Sequence, residues 1–312
     1  MPAGTVTRST GSHYLVRDDG GVVHECVARG NLRIQGFMST NPIAVGDHVE
    51  FTPGDGEQVG SVLEVKDRRN YLVRRSVNLS HQKSVIAANM DQALLMVTLA
   101  RPRTSTGFID RFLVSAEAYE IPCIILFNKL DAYAAAELAS LQELERVYGS
   151  VGYRTIRTSA HTGTGVDDVR TLLAGKVSLL AGHSGVGKST LINTIQPGFD
   201  LPTSVVSEST TKGQHTTTHA SMFDLALGGS IIDTPGIKGF GLVDMDAATI
   251  SDQFPEFFKL KGACKFASCL HLQEPGCAVR AAVQEGAVAG SRYASYQDMV
   301  SGVEEDGPYR RD

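Results

Sequence analysis

The sequence predicts a multidomain chain with an N-terminal β-barrel, a central α/β P-loop domain and a mostly helical, metal-binding C-terminal part. Short strand-like segments separated by turns fill residues 4–65, and strand and helix patterns alternate over residues 84–246. Three cysteines and one histidine lie close together after that point. We expect the boundaries at residues 1–68 for the barrel, 69–85 for a basic linker, 86–246 for the P-loop domain and 247–312 for the C-terminal part.

The N-terminal segment has the pattern of a small barrel. Strand candidates lie at residues 13–16, 22–27 and 48–51, and turns rich in glycine and aspartate separate them. Four or five strands in a segment of this length favour an OB-fold, which often binds single-stranded or looped nucleic acid. An SH3-like barrel would give much the same pattern, so this alternative stays open.

The central segment has the pattern of a doubly wound α/β sheet. Apolar runs are typical of buried parallel strands. They occur at residues 92–100, 122–127, 177–181 and 230–232. Residues 108–119 and 132–148 have helical composition and spacing, which places helices between the predicted strands.

Two nucleotide-binding motifs occur in this segment in the reverse of their usual order. Residues 182–189, GHSGVGKS, are a complete phosphate loop of the form G-x-x-x-x-G-K-[ST]. Residues 128–131, NKLD, match the guanine motif NKxD and follow an apolar run. In an ordinary GTPase the phosphate loop comes first. Here NKLD comes first and no second NKxD follows, so the sequence predicts a circularly permuted GTPase domain.

The chemistry of both motifs suits GTP. The strand before Gly182 leads into a glycine-rich turn whose N–H groups can surround a phosphate, and a helix then begins near Lys188. Lys188 would reach the β- and γ-phosphates, and Ser189 would offer its hydroxyl to Mg²⁺. A carboxylate only accepts hydrogen bonds, so Asp131 suits the two N–H donors on the guanine edge.

Three further segments complete the predicted site. Ser159 and Ala160 match the short element that contacts the guanine oxygen through its backbone. Residues 233–236, DTPG, follow a predicted buried strand, which places Asp233 beside Mg²⁺ and the Gly236 N–H beside the γ-phosphate. The polar residues 210–219 suit the first switch segment, with Thr217 as a Mg²⁺ ligand, although a solvated loop is the alternative.

The residues predicted to bind GTP are Asn128, Lys129, Leu130, Asp131, Ser159, Ala160, Gly182, His183, Ser184, Gly185, Val186, Gly187, Lys188, Ser189, Thr190, Asp233 and Gly236. Those predicted to hold Mg²⁺ are Ser189, Thr217 and Asp233.

The position that often carries a catalytic glutamine carries an aliphatic residue here. In many GTPases a Gln after the DTPG-type glycine orients the attacking water, whereas this chain has Ile237. We therefore expect slow intrinsic hydrolysis. His215 is the candidate catalytic residue, because an imidazole can orient or deprotonate water near neutral pH. A loop histidine without a chemical role is the alternative.

The cysteine cluster predicts a structural zinc site. Three thiolates and one imidazole form a complete tetrahedral set, and such a closed site leaves no position for a catalytic water. Cys264, Cys269, His271 and Cys277 are the expected ligands of one zinc ion per chain, with free buried cysteines as the alternative. Cys26 and Cys123 lie in apolar runs and are expected in the core.

Charge and hydropathy set the expected surroundings. The net charge of −5 argues against broad affinity for nucleic acid. Residues 66–83, however, contain six basic residues and one acid, and we expect Arg68, Arg69, Arg74 and Arg75 to help hold RNA unless the stretch is only a solvated linker. The sequence has no run long enough for a membrane span and no signal-peptide core near residue 1, so we expect a cytoplasmic protein with no membrane partner.

The order of the motifs resembles that of one known family. NKLD, SA, GHSGVGKST, KGQHTTT and DTPG are followed by a cysteine-rich segment that ends in HLQEPGCAV, at residues 271–279. In this order they resemble the ribosome small-subunit-dependent GTPases, the circularly permuted GTPases of the YjeQ and YloQ type. The match spans nearly the whole chain, including residues 88–92 and 110–113. The family usually has an acid where this chain has Ser268, which does not affect the zinc ligands.

The resemblance implies an OB-fold, a permuted GTPase domain and a zinc domain. It implies a protein that hydrolyses GTP to GDP and phosphate when stimulated by the small ribosomal subunit and that acts late in maturation of that subunit. We also expect a monomer that contacts 16S rRNA. Two alternatives remain: a GTP-binding RNA switch with negligible turnover, and a P-loop ATPase or kinase with an accidental NKLD.

Overall fold

The computed structural model describes residues 1–29, 32, 42–55, 58–75, 83–199, 220–234, 242–243 and 245–302. Within these ranges the chain forms a barrel, a short hairpin, a mixed sheet flanked by helices, and a helical C-terminal segment.

The N-terminal residues form a five-stranded barrel. Its strands are β1 (Ala3–Ser9), β2 (His13–Asp18), β3 (Val23–Ala28), β4 (His48–Thr52) and β5 (Gly60–Val65). All neighbouring strands are antiparallel except β3 and β5, and pairing of β1 with β4 closes the barrel. Alternate side chains point inward, as the period of a strand requires, and the core includes Val6, Tyr14, Phe51 and Val62. The predicted N-terminal barrel is confirmed.

A hairpin lies where the sequence predicts a basic linker. Strands β6 (Tyr71–Arg75) and β7 (Lys83–Ala88) pair antiparallel, and Ala87 also bridges to Val45 at the end of the barrel. Leu72 and Ala87 are fully buried. The apolar residues of this stretch therefore form structure, although its basic residues dominate the composition.

The central sheet has the predicted parallel architecture. Strands β8 (Gln92–Val97), β9 (Cys123–Phe127), β10 (Arg154–Arg157), β11 (Val177–Ala181) and β13 (Ser230–Asp233) lie in the order β10-β9-β8-β11-β13. A further strand, β12 (Ser221–Asp224), is not predicted by the sequence and pairs antiparallel with β13. A single pair, Arg8 with Ser221, joins β12 to β1 and so joins the sheet to the barrel.

Helices cover both faces of this sheet. They are α1 (Thr106–Ala118), α2 (Ala135–Ser150), α3 (Val166–Leu173) and α4 (Lys188–Ile195). One apolar core lies beneath α1 and α2, and a second lies beneath α3 and α4. Every residue of β8 is buried, as expected for a central parallel strand covered on both faces.

The C-terminal segment is helical, as predicted. It contains α5 (Ala247–Asp252), α6 (Pro255–Leu260), α7 (Ala278–Gln284) and α8 (Gly290–Val300) around a core of Phe254, Phe257 and Tyr296. Val114 of α1 belongs to the same core, so this segment packs directly on the central domain. Within the described ranges, no helix combines the length and the apolar character needed to cross a membrane.

Candidate nucleotide site and metal centre

The phosphate loop connects β11 to α4 through a backbone that requires glycine. Gly182, Gly185 and Gly187 have φ angles of 145°, 83° and 100°, a region that side chains disfavour. Space is also lacking, because a Cβ on Gly182 would lie 2.4 Å from the Met96 carbonyl oxygen. The loop is thus shaped by close backbone contact, and α4 begins at Lys188 directly after it.

Lys188 and Asp233 are two titratable side chains that lie beside this loop. The Lys188 Nζ donates to the carbonyl oxygens of Gly182 at 2.7 Å and His183 at 2.9 Å. Burial lowers the pKa of Lys188 to about 8, although the Asp233 charge opposes this. Burial likewise raises the pKa of Asp233 to about 6, against the attraction of Lys188. Burial therefore disfavours the charged form of each side chain, and a bound group of opposite charge would stabilise that form.

Asp233 fits the predicted role of a cation ligand. It lies at the carboxyl end of β13, beside Leu180 at the end of β11. It is 5% exposed, and its Oδ1 has no hydrogen-bond partner in the part of the chain that the structure describes. A buried carboxylate oxygen without a donor is costly, and a hard cation such as Mg²⁺ would satisfy it.

Asn128 connects NKLD to the phosphate loop. Its Nδ2 donates to the Val186 carbonyl at 2.8 Å. Its Oδ1 accepts from the Thr158 hydroxyl at 3.1 Å and from the Ala160 N–H at 3.3 Å. One buried side chain therefore holds together three of the predicted elements, NKLD, SA and the phosphate loop.

Lys129 and Asp131 of NKLD lie nearer the protein surface than the buried Asn128. Lys129 has a left-handed backbone, with φ of 64°, and its Nζ donates to the Arg101 carbonyl at 2.6 Å. Asp131 lies in a short 3-10 turn, and its carboxylate accepts a short hydrogen bond from the Ser159 hydroxyl. The Asp131 side chain is otherwise exposed, which leaves it accessible to a base.

The structure brings together most of the predicted nucleotide site. Residues 128–131, 159–160, 182–190 and 233 meet at the carboxyl ends of β9, β10, β11 and β13. His215, Thr217, Gly236 and Ile237 lie outside the described residues.

Tyr133 also contacts the NKLD segment, although the sequence does not predict this contact. Its hydroxyl donates to the Asn128 carbonyl at 2.6 Å and accepts from the Leu99 N–H at 2.9 Å. Burial raises its pKa to about 12, so it remains a protonated donor. No motif marks this residue, since its function depends on Leu99, which lies on a different loop.

The four predicted metal ligands converge on one point. The ligand atoms of Cys264, Cys269, His271 and Cys277 all lie within 4.8 Å of one another. The His271 Nδ1 is 3.3 Å from the Cys277 Sγ and 3.6 Å from the Cys264 Sγ. Around a tetrahedral zinc ion, bond lengths of about 2.3 Å to sulfur and 2.0 Å to nitrogen give a sulfur–nitrogen edge of roughly 3.5 Å. These two edges fit a tetrahedral site, and the group could hold a metal ion.

Backbone groups around the cluster are arranged to support thiolates. At the start of α7, the Ala278 N–H donates to the Cys264 Sγ and the Arg280 N–H donates to the Cys277 Sγ, each at 3.4 Å. Burial, reinforced by the neighbouring thiols, raises the pKa of Cys269 to about 12. A bound cation would reverse this effect and ionise the thiol.

Glu274 orders the loop between the second and fourth ligands. Its carboxylate accepts from the N–H groups of Leu270 at 2.8 Å and of Leu272 at 2.9 Å, on either side of His271. Burial acts to raise the pKa of Glu274, but these backbone donors outweigh it and lower the pKa. The Tyr293 hydroxyl also donates to the His271 carbonyl at 2.7 Å. Neither residue was predicted, because neither is itself a ligand.

Comparison with known proteins agrees with this geometry. The family model described as RsgA GTPase matches residues 65–243, and the model described as RsgA N-terminal domain matches residues 3–62. A protein of Christiangramia forsetii, named small ribosomal subunit biogenesis GTPase RsgA, is 52% identical over 99% of this chain and 98% of its own length. A protein of the same name from Bacteroides fragilis is 52% identical over 98% of each chain.

Two solved structures share the whole architecture. YjeQ from Thermotoga maritima has a TM-score of 0.77 and 36% identity, over 97% of this chain and 98% of that one. YloQ, described as a circularly permuted GTPase, has a TM-score of 0.71 and 29% identity, over 99% and 97%. The predicted resemblance and fold class are confirmed. With a family model that matches more than half of its length and full-length relatives at 52% identity, the chain belongs to the RsgA GTPase family.

Proposed function

We propose that this protein hydrolyses GTP to GDP and phosphate and acts in late maturation of the small ribosomal subunit, which stimulates its turnover. The observation that carries the nucleotide part is the bond from Asn128 to Val186, because it unites a guanine motif and a phosphate loop into one site. The ribosomal part is supported by the name of the relatives, which are small ribosomal subunit biogenesis GTPases.

In this proposal the phosphate loop positions the nucleotide and neutralises its charge. The N–H groups of residues 182–190 surround the phosphates, and Lys188 exchanges its two carbonyl contacts for phosphate oxygens. Asp131 and the backbone of Ser159 and Ala160 select guanine. Ser189, Thr217 and Asp233 would hold Mg²⁺, which supplies positive charge to the phosphates when bound.

Hydrolysis requires that a water molecule be positioned opposite the leaving group. Ile237 has no hydrogen-bonding side chain, so we assign the orientation of that water to His215. Basal turnover is then slow until a partner brings the switch segment into place. The chain leads from residues 233–236 into the C-terminal segment. A partner that binds this segment can therefore change the position of the DTPG motif.

We also propose that the C-terminal cluster binds one structural zinc ion per chain. Cys264, Cys269, His271 and Cys277 complete a tetrahedron, which leaves no position for a substrate. The proposed domain boundaries remain 1–68, 69–85, 86–246 and 247–312. Strand β6 lies within the second of these ranges, and β7 crosses its end. We further propose that the protein acts as a monomer in the cytoplasm.

The proposed rRNA contacts must be revised for one residue. Arg68 was predicted to hold RNA, but its Nε and Nη2 each donate at 2.7 Å to the carboxylate of Asp47, which is fully buried. Only 7% of the Arg68 side chain is exposed, so its guanidinium is not accessible to a phosphate. Arg69, by contrast, is 60% exposed although it pairs with Asp91, and it remains a candidate RNA contact.

The C-terminal segment offers exposed aromatic rings and lysines that favour RNA as the partner, and one of these lysines, Lys261, also pairs with Asp252 at 2.9 Å. Phe258 and Phe266 are 55% and 44% exposed, and a lysine lies over each ring: Lys261 at 4.2 Å and Lys265 at 5.5 Å from the ring centroid. Exposed aromatic rings can stack on unpaired bases while lysines approach phosphates.

Turnover measurements test the proposal. GTP should bind far more tightly than ATP, its basal hydrolysis should be slow, and purified small ribosomal subunits should raise the turnover number. His215→Ala should keep GTP affinity and lose most of the stimulated turnover, while Ile237→Ala should change it less. Equal binding of ATP would make NKLD accidental. Tight GTP binding without stimulated turnover would identify a regulatory switch instead of an enzyme.

A further inference from the structure

A ring contact joins α1 to the phosphate loop. The Phe108 and His183 rings lie with their centroids 3.8 Å apart at an angle of 33°, and both residues are buried. Phe108 lies in the first turn of α1, where its N–H donates at 3.1 Å to the Ser105 hydroxyl that caps the helix. The ring is therefore held by the start of the helix and faces the second residue of the phosphate loop.

The same turn of α1 is bound to the C-terminal segment. The Arg292 Nη1 of α8 donates to the Asp110 Oδ1 at 2.8 Å, and the Tyr148 hydroxyl donates to the same oxygen at 3.0 Å. The other nitrogens of Arg292, Nε and Nη2, donate to the two carboxylate oxygens of Glu256 at 2.8 and 3.1 Å. Arg292 and Asp110 are 1% and 0% exposed.

Buried charges of this kind resist displacement. If the Arg292 guanidinium moved away from either carboxylate, it would leave an unpaired charge in the protein interior. The ion network therefore has one strongly preferred geometry. Phe108 and Asp110 are two residues apart on one helix, and a shift of that turn must move both contacts. The C-terminal segment and the phosphate loop therefore both contact the same turn of α1.

We propose that α1 couples the C-terminal metal-binding segment to the phosphate loop: Phe108 is a positioning residue that holds His183, and Arg292 fixes the helical turn that carries Phe108. The His183 carbonyl accepts from the Lys188 Nζ, so a displacement of His183 also moves a contact of the lysine that meets the phosphates. The proposal rests on the proposed GTP binding and adds a route by which a partner on the C-terminal segment alters it.

The state of His183 suits this role. Burial, with a further contribution from Lys188, lowers the pKa of His183 to about 4, so its imidazole is neutral at neutral pH. A neutral ring can stack on Phe108 without the cost of a buried charge, and it adds no positive charge beside Lys188.

The first test compares variants of α1 by the rate at which a fluorescent GDP analogue dissociates from the full-length protein. Phe108→Leu should accelerate release roughly three- to tenfold, as expected for loss of one aromatic pair. Phe108→Tyr keeps the ring and should restore slow release. Leu113→Ala is the matched control, because Leu113 is fully buried on the same helix and cannot stack. Its release rate should stay within about twofold of wild type.

The second test is a double-mutant cycle between Phe108→Leu and Arg292→Lys, which keeps the charge of Arg292 but loses its fork of donors. Arg292→Lys alone should accelerate release, and the double variant should release GDP no faster than Phe108→Leu. If Arg292→Lys does not fold, Glu256→Gln replaces it in the cycle.

Independent, multiplying effects in the cycle would overturn the coupling. An equal effect of Leu113→Ala, or unchanged release in Phe108→Leu, would overturn the positioning role of Phe108. Failure of the proposed function has a different signature, because the wild-type protein would then not retain the GDP analogue at all.

Discussion

The Asn128 side-chain amide donates to the Val186 carbonyl at 2.8 Å, and this bond joins NKLD to the phosphate loop across 58 positions of the sequence. Permutation changes the order of the two motifs along the chain but not their meeting point, because β8 lies between β9 and β11 in the sheet. The contact is close enough that a Cβ on Gly187 would lie 2.5 Å from the Asn128 Nδ2. One side chain of NKLD therefore contacts the phosphate loop.

We predict that Asn128→Asp weakens GTP binding at least about tenfold, because a carboxylate would replace the donor that faces the Val186 carbonyl. Titration with a fluorescent GTP analogue measures the loss. Asn128→Ala removes the bond without adding repulsion and should weaken binding less. Wild-type affinity in both variants would show that this bond does not organise the site.

Guanine selection is predicted to depend on Asp131. Asp131→Asn places an amide donor where guanine also donates, so GTP should bind more weakly and xanthosine triphosphate more tightly. Competition between the two nucleotides gives the change in preference. An unaltered preference for GTP would remove Asp131 from the base-binding site, whatever happens to turnover.

The sequence could predict those residues whose chemistry is written in a local motif. Gly182, Lys188 and Asp131 belong to short patterns with fixed spacing, and four metal ligands lie within one short segment. Tyr133 could not be found this way, since its partner Leu99 lies 34 positions away on another loop. Glu274 was missed for a related reason, because it binds backbone N–H groups that no residue type reveals.

Local charge counting failed at Arg68 for the same physical reason. The count over residues 66–83 includes one acid, but folding brings Asp47 to Arg68, Asp91 to Arg69, and Glu50 and Glu64 to Lys66. A basic stretch in sequence is thus partly neutralised in space.

We predict that Arg68→Ala acts on stability and not on RNA affinity. Removal of Arg68 leaves the fully buried Asp47 carboxylate unpaired, which should lower the free energy of unfolding by about 3–5 kcal/mol. Urea unfolding measures this loss, and filter binding to 16S rRNA at several salt concentrations measures the affinity. Arg69→Ala is the control with an exposed side chain. A weaker salt dependence in the folded Arg68 variant would restore its role as a phosphate contact.

Metal binding is predicted to require the four ligands and to be strengthened by the Glu274 carboxylate. Purified protein should contain about one zinc ion per chain, and Cys269→Ala should lose the metal and unfold the C-terminal segment. Glu274→Ala keeps all four ligands but should weaken zinc affinity about 10- to 100-fold, because it releases the loop around His271. Chelator competition measures the affinity. Glu285→Ala removes an exposed acid from the same segment and should leave it unchanged.

The neutral state of His183 predicts a pH-dependent stability. Burial lowers its pKa to about 4 in the folded protein, whereas the reference pKa is 6.5. Between these values the unfolded chain takes up a proton that the folded chain does not, so the free energy of unfolding must fall as the pH falls from 6.5 toward 4. Over this pH range, proton uptake by unfolded His183 should lower the free energy of unfolding by about 3 kcal/mol, at about 1.4 kcal/mol for each unit by which the two pKa values differ.

Urea unfolding at pH 7 and at about pH 4.5 checks this contribution in wild type and in His183→Gln, whose side chain does not titrate. The His183 variant should lose less stability on acidification, because the proton taken up by unfolded His183 is no longer available. His161→Gln, which replaces an exposed histidine, should lose as much as wild type. If the His183 variant and wild type lose the same amount, the imidazole is not buried against Phe108 in solution, and the contact proposed to hold the phosphate loop does not form.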